Sequence, residues 1–217
     1  WDNGVQVIDV SNPSTLVPKG SATDGVGGFD ELLGATCAAT FVRGDSTYAI
    51  VTASADSGVQ VIDVSDPSIL VPKGSAYFGD AGFDMLDYAI GVATFVIGDG
   101  TYAIVTSYYG GVLVIDVSDP SSLVPKGSAT VGDAGYDALQ QATGVATFAR
   151  GDSTYAIVTS AWDDGVQVID VSNNRNVPQV LPHRSGRHAD ITTANGAHAR
   201  RVERVRAVSY THLTLPT

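Results

Sequence analysis

Several residue types are nearly missing from this chain, and each shortage removes a class of function. Cys37 is the single cysteine, so no intrachain disulfide and no cysteine-based metal cluster can form. All four histidines, His183, His188, His198 and His212, lie in the last 35 residues, which leaves the preceding sequence without an imidazole for acid–base or metal chemistry. Basic residues are also few: residues 1–174 carry 21 Asp or Glu against 5 Lys or Arg. A body that acidic has no basic patch with which to displace counterions from phosphates, which argues against nucleic acid or an anionic membrane surface as partner. No apolar run approaches the roughly 18 residues needed to span a bilayer. The chain starts at Trp1 with neither an initiator Met nor a signal peptide and reads as a fragment.

What is abundant is repetition. GVQVIDVSNPSTLVPKGSA at 4–22 returns as GVQVIDVSDPSILVPKGSA at 58–76 and GVLVIDVSDPSSLVPKGSA at 111–129, and begins again as GVQVIDVSN at 165–173. The offsets are 53 or 54 residues, and the one-residue difference falls between TYAIVT and the next Gly-Val, which marks a surface loop. Each period holds four strand-like runs separated by turn signals. In the second copy they cover Gly91–Ile97, Thr101–Ser107, Gly111–Val117 and Ser122–Ala129. Ala-Ile-Val and Val-Ile-Asp-Val are apolar on both faces, as in a strand covered on both sides.

Four antiparallel strands per period, in sheets that need a neighbour on each face, predict an all-β partial β-propeller. Leaving about five Val, Ile or Phe side chains of one blade face in water would cost on the order of 10 kcal/mol, comparable with the whole stability of a domain. Blades must therefore stack. The expected organisation is a propeller fragment over 1–174: a half blade at 1–22, blades at 38–76 and 91–129, and an incomplete blade at 144–174. A short helical turn is expected in each inter-blade connection, with Asp30, Asp84 or Asp137 as its cap and Leu32, Leu86 or Leu139 pointing inward.

The GVQVIDVSDPS run, preceded by TYAIVTS and followed by a short outer strand, resembles the LVIVD-type repeat of secreted and surface-exposed bacterial and archaeal propellers. The resemblance covers residues 1–174 and implies a propeller on the cell exterior, with no activity shared by all members. After Ser172 the pattern stops. Residues 175–217 carry 2 acidic against 7 basic residues and form a divergent basic tail, expected to be disordered or artefactual. Its final SYTHLTLPT resembles a translated sequencing-adapter scar.

Candidate chemistry is sparse. Asp9, Asp63, Asp116 and Asp170 recur in IDVS, where an aspartate ending a strand can accept backbone N–H groups of the following turn, or could form a ring of carboxylates. Asp80, Asp84, Asp133 and Asp137 are weak calcium candidates, since calcium takes six to eight oxygens and this loop lacks the EF-hand spacing. Lys19, Lys73 and Lys126 recur on the outer strand and read as guards against edge pairing. Tyr108, Tyr109 and Trp162 lie in a loop that varies between copies; they suit glycan or protein contacts, or could cover the sheet ends.

RGD occurs twice, as Arg43-Gly44-Asp45 and Arg150-Gly151-Asp152, but the middle copy reads Ile97-Gly98-Asp99. Gly and Asp persist where a two-residue hairpin turn needs them, so the motif reads as structural. No nucleophile–base or paired-carboxylate arrangement can be assembled. Together with the exterior location that the resemblance implies, this leads to the expectation of a non-enzymatic extracellular or cell-surface module that binds or scaffolds a protein or glycan. The alternative is the scaffold part of a larger propeller enzyme.

Overall fold

A computed structural model describes residues 3–172, so the expectations for the tail at 175–217 lie outside the described residues. Thirteen strands follow one another in four antiparallel sheets. The first sheet pairs β1 (Gly4–Asp9) with β2 (Val17–Thr23). The second is a meander of β3 (Ala35–Arg43), β4 (Ser46–Ala53), β5 (Gly58–Asp66) and β6 (Ile69–Tyr77). The third repeats it with β7 (Ala89–Ile97), β8 (Gly100–Ser107), β9 (Gly111–Asp116) and β10 (Val124–Ala129). The fourth holds β11 (Ala142–Arg150), β12 (Ser153–Ser160) and β13 (Gly165–Asp170).

Strand order follows chain order within each sheet, so every blade runs from an inner strand (β3, β7, β11) outward. The inner strands are built of small residues, with Ala39, Ala93 and Ala146 at equivalent places, which lets adjacent blades approach closely. There, threonine hydroxyls donate across the blade boundary to main-chain carbonyls. Thr52 Oγ1 reaches Ile90 O at 2.7 Å, Thr106 Oγ1 reaches Thr143 O at 2.6 Å, Thr94 Oγ1 reaches Thr40 O at 2.8 Å and Thr147 Oγ1 reaches Thr94 O at 2.9 Å. Farther out, the Gly20 and Gly74 N–H groups donate to Pro67 O and Pro120 O of the next blade at 2.8 and 2.9 Å.

Apolar side chains fill the space between sheets. Val59, Val61 and Ala76 of one blade meet Leu86, Val92, Ala103 and Val105 of the next in a continuous buried cluster. Val112, Val114 and Ala129 meet Leu139, Ala142, Ala156 and Val158 in the same manner. The neighbours, not the strand sequence, determine burial. In GVQVID at 58–63, Val59 and Val61 are fully buried, whereas in the identical GVQVID at 165–170, Val166 and Val168 are 57% and 49% exposed. Stacked four-stranded meanders with this register make the described residues a partial β-propeller.

At the opposite ends of the inner strands, Arg43 pairs with Ser46 and Gly44-Asp45 forms a two-residue turn. Gly44, Gly98 and Gly151 have φ of 59°, 58° and 60°, while the following aspartates are not in the left-handed region, the pattern of a type II′ hairpin. Beside each turn a Phe and the Tyr opposite it stack, with centroids 5.4–5.5 Å apart (Phe41–Tyr48, Phe95–Tyr102, Phe148–Tyr155).

The helical turn expected in each connection is not there. Between β6 and β7 the chain makes two successive tight turns instead: Phe83 N–H donates to Asp80 O and Leu86 N–H to Phe83 O, each at 3.0 Å. Gly82, with φ of 85°, is the third residue of the first turn, and a left-handed residue there breaks the run of right-handed conformations that a helix requires. The turns still drive Leu86 into the core, where it is fully buried like Leu32.

Candidate functional site: the loop end of the blades

The meander places two kinds of loop at one end of the sheets. The inter-blade connections (24–34, 78–88, 130–141) enter the inner strands there, and the loops between second and third strands (54–57, 108–110, 161–164) close there. The two kinds are tied together by hydrogen bonds. Asp56 Oδ2 accepts the Leu33 N–H at 2.7 Å, and Asp163 Oδ2 accepts the Gln140 N–H at 2.9 Å. The shorter loop of the middle blade has no such aspartate. Its Ser107 hydroxyl bonds the Asp87 carbonyl and accepts the Gly110 N–H at 3.0 Å.

In that shorter loop the aromatic candidates gather. Tyr108 and Tyr109 meet edge to face with centroids 4.9 Å apart, and Tyr88 packs against both at 5.7 and 5.9 Å. Tyr109 is 68% exposed. Beside them a cleft of about 280 Å³ opens between the loop of one blade and the connection to the next, lined among others by Tyr108, Tyr109, Thr130, Val131, Gln140 and Gln141. Trp162, also strongly exposed, belongs to the equivalent loop of the following blade and is not among the residues lining this cleft.

Tyr88 and Gln141, which the sequence reading missed, occupy the place held by Gly34 in the first copy. All three have positive φ, of 58°, 53° and 69°. A residue with a side chain at a position built for glycine is the signal that could have found them.

Basic residues are divided sharply between the ends, although acidic ones occur at both. The six loop-end segments contain eleven Asp and Glu and no Lys or Arg. Glu31 registers the consequence. Burial, then the charges of Asp56, Asp80, Asp24 and Asp30, push its carboxyl up to about 7. Burial also raises Asp56, partly offset by the Leu33 N–H it accepts. Glu31 too was missed; equivalent positions carry Met85 and Ala138, so a single acid departs from an otherwise uncharged place.

The calcium candidates do not assemble into a site. Asp80 Oδ2 folds back onto the Tyr77 N–H at 3.2 Å and Asp133 Oδ2 onto the Thr130 N–H at 3.0 Å. Asp84 and Asp137 are exposed, and among the described residues they accept no hydrogen bond, nor does Asp30, so none of the three caps its turn. In the first connection the carboxylate of Asp24 takes the Leu32 N–H at 3.0 Å. Among the described residues no group of three or more His, Cys, Asp or Glu is arranged to hold a metal ion.

The remaining candidates lie toward the hairpin end. Asp9, Asp63, Asp116 and Asp170 accept the N–H of Ser11, Ser65, Ser118 and Ser172 at 2.9–3.0 Å. For Asp9, Asp63 and Asp170, the serine hydroxyl and N–H hold the carboxyl below its usual range. At Asp116 burial opposes ionisation, but Ser118 and Lys126 outweigh it. Lys19, Lys73 and Lys126 do more than guard an edge: each ammonium lies 3.1–3.6 Å from the carboxylate of Asp9, Asp63 or Asp116 on the adjacent strand. Arg43 donates from Nε to Ser118 O at 3.0 Å and from Nη1 to Asp99 O at 2.7 Å, fastening one hairpin to the next blade. Arg150-Gly151-Asp152 forms the equivalent turn in β11–β12.

Stacked four-stranded blades repeating every 53 or 54 residues, with their variable loops at one end, define a repeat protein of the β-propeller class. The LVIVD repeat model matches residues 1–24, 42–77 and 90–131, which makes this an LVIVD-type repeat protein across residues 1–131. A comparison with curated proteins finds no match. In the described residues no helix is long and apolar enough to cross a membrane.

Proposed function

We propose that this propeller is a non-enzymatic binding module of the cell surface or extracellular space, and that it presents the loop end of its blades to a protein or glycan. The observation that carries this reading is the tyrosine cluster beside an open cleft, in the loops where the repeats differ from one another. Large aromatic side chains supply much contact area at low entropic cost, and repeats that agree in their strands but differ in these loops fit a scaffold carrying a contact surface. The non-enzymatic part of the reading is supported by how the carboxylates are used: many are occupied by backbone N–H groups or lysines.

The test is a panel of defined glycans and peptides offered to the immobilised chain and to a Tyr108→Ser/Tyr109→Ser variant. Retention of at least one ligand class by the wild type, lost in the variant, is the expected result. No retention, or equal retention by both proteins, refutes the reading. Location is tested separately, by whether the protein in intact cells is accessible to added protease.

A further inference from the structure

Resting on that binding-module reading, we propose that the Tyr108–Tyr109 cleft receives a lysine or arginine side chain from a cationic protein segment. Charge complementarity selects this occupant. The loop end offers eleven carboxylates and no Lys or Arg, a field that attracts cations and repels uronic acids, phosphates and acidic peptides.

The wall of the cleft has the chemistry a long cationic side chain needs along its length. Val131, which is exposed, provides apolar surface for the methylene stem. The exposed ring of Tyr109 and its neighbour Tyr108 provide electron-rich faces for an ammonium or guanidinium group. Gln140 and Gln141 contribute amide oxygens that accept N–H donors. Two carboxylates are tied to the wall itself, Asp133 through the Thr130 N–H and Asp163 through the Gln140 N–H.

Backbone conformation points to the same place. Tyr88 and Gln141 are held at positive φ, a conformation that costs a side-chain-bearing residue on the order of 1 kcal/mol or more. One of them completes the aromatic cluster and the other lines the cleft, while Ser57 and Asp164, the other non-glycine residues at positive φ among the described residues, close loops at the same end of the blades.

The experiment measures binding of fluorescently labelled oligolysine and oligoarginine peptides to the full chain by anisotropy, with oligoglutamate and a neutral oligosaccharide as comparisons. The cationic peptides are expected to bind at low ionic strength and to weaken as salt is raised. Tyr109→Ala is expected to weaken them about threefold to tenfold, and Tyr108→Ala/Tyr109→Ala further. Asp137→Asn, which removes an exposed charge that makes no hydrogen bond among the described residues, is expected to produce a smaller loss with circular dichroism unchanged. Cationic binding that is salt-sensitive but identical in the tyrosine variants overturns the site. Failure of the cationic peptides alongside tyrosine-dependent binding of the neutral oligosaccharide overturns the cationic ligand and leaves the binding-module reading standing. Failure of every ligand overturns both.

Discussion

Replacing Glu31 by glutamine should make this protein more stable at pH 8 than the wild type, and the advantage should fade as the solution is acidified. Glu31 sits among Asp24, Asp30, Asp56 and Asp80, and ionises only near 7 instead of its ordinary 4.5. Between those values the folded state binds more protons than the unfolded state, so stability falls as pH rises through this window, and the full penalty is present above 7. An unscreened shift of that size corresponds to an upper bound of about 3.4 kcal/mol. Glu31 is only partly buried, and solvent screening reduces the expectation to about 1 kcal/mol. For a domain of this size that is a rise of about 2–4 °C in Tm. The position accepts an uncharged residue, as Met85 and Ala138 demonstrate in the other copies. The assay is thermal unfolding of both proteins from pH 4 to 8 at low salt. Parallel profiles across pH 5 to 8 would refute the account of the acidic cluster.

Leu86→Ala should cost about 2–5 kcal/mol in urea unfolding, since the side chain is fully buried between two blades, whereas the same change at exposed Leu16 should fall within about 0.5 kcal/mol. Gln60→Leu should raise the urea midpoint although it removes the long, 3.3 Å amide bonds to the Val61, Lys73 and Gly74 carbonyls, because Gln60 Oε1 is buried without a partner and Leu113 fills the equivalent place in the middle copy. Arg43→Ala should lower stability by about 1 kcal/mol through loss of its bonds to Ser118 and Asp99. Combined with Arg150→Ala it should leave cell attachment unchanged; a loss of attachment would show that a cell-surface receptor reads the two Arg-Gly-Asp tripeptides, and would refute a purely structural role for these turns.

The sheets were legible because repetition supplies its own controls. Gly44-Asp45 could be recognised as a turn once Gly98-Asp99 appeared in the same place without the arginine. The connections were harder. Phe-Asp-x-Leu spacing looks helical, and only the left-handed glycines at 79 and 82 turn it into separate tight turns. Sequence also separated partners that pleating and a bulge bring together. Lys73 lies ten residues after Asp63, and their ion pair follows from the β5–β6 register, which shifts between Gln60 and Ile62. At the loop end, Tyr108 and Tyr109 stood out as variable aromatics, but Tyr88 comes from a connection twenty residues earlier. Its contact with them depends on Tyr108 N–H reaching the Tyr88 carbonyl at 3.1 Å.

The threonines that join each blade to its neighbour's inner strand have a bearing on how such a chain can grow. Their acceptors are main-chain carbonyls, which every residue carries, and their donors recur at the same place in successive copies. A duplicated segment of one period therefore arrives with both halves of its junction already matched to whatever blade it lands beside. Blade number is free to change by gene duplication without compensating substitutions at the seams, while the loops at the far end of each new copy are left to diverge.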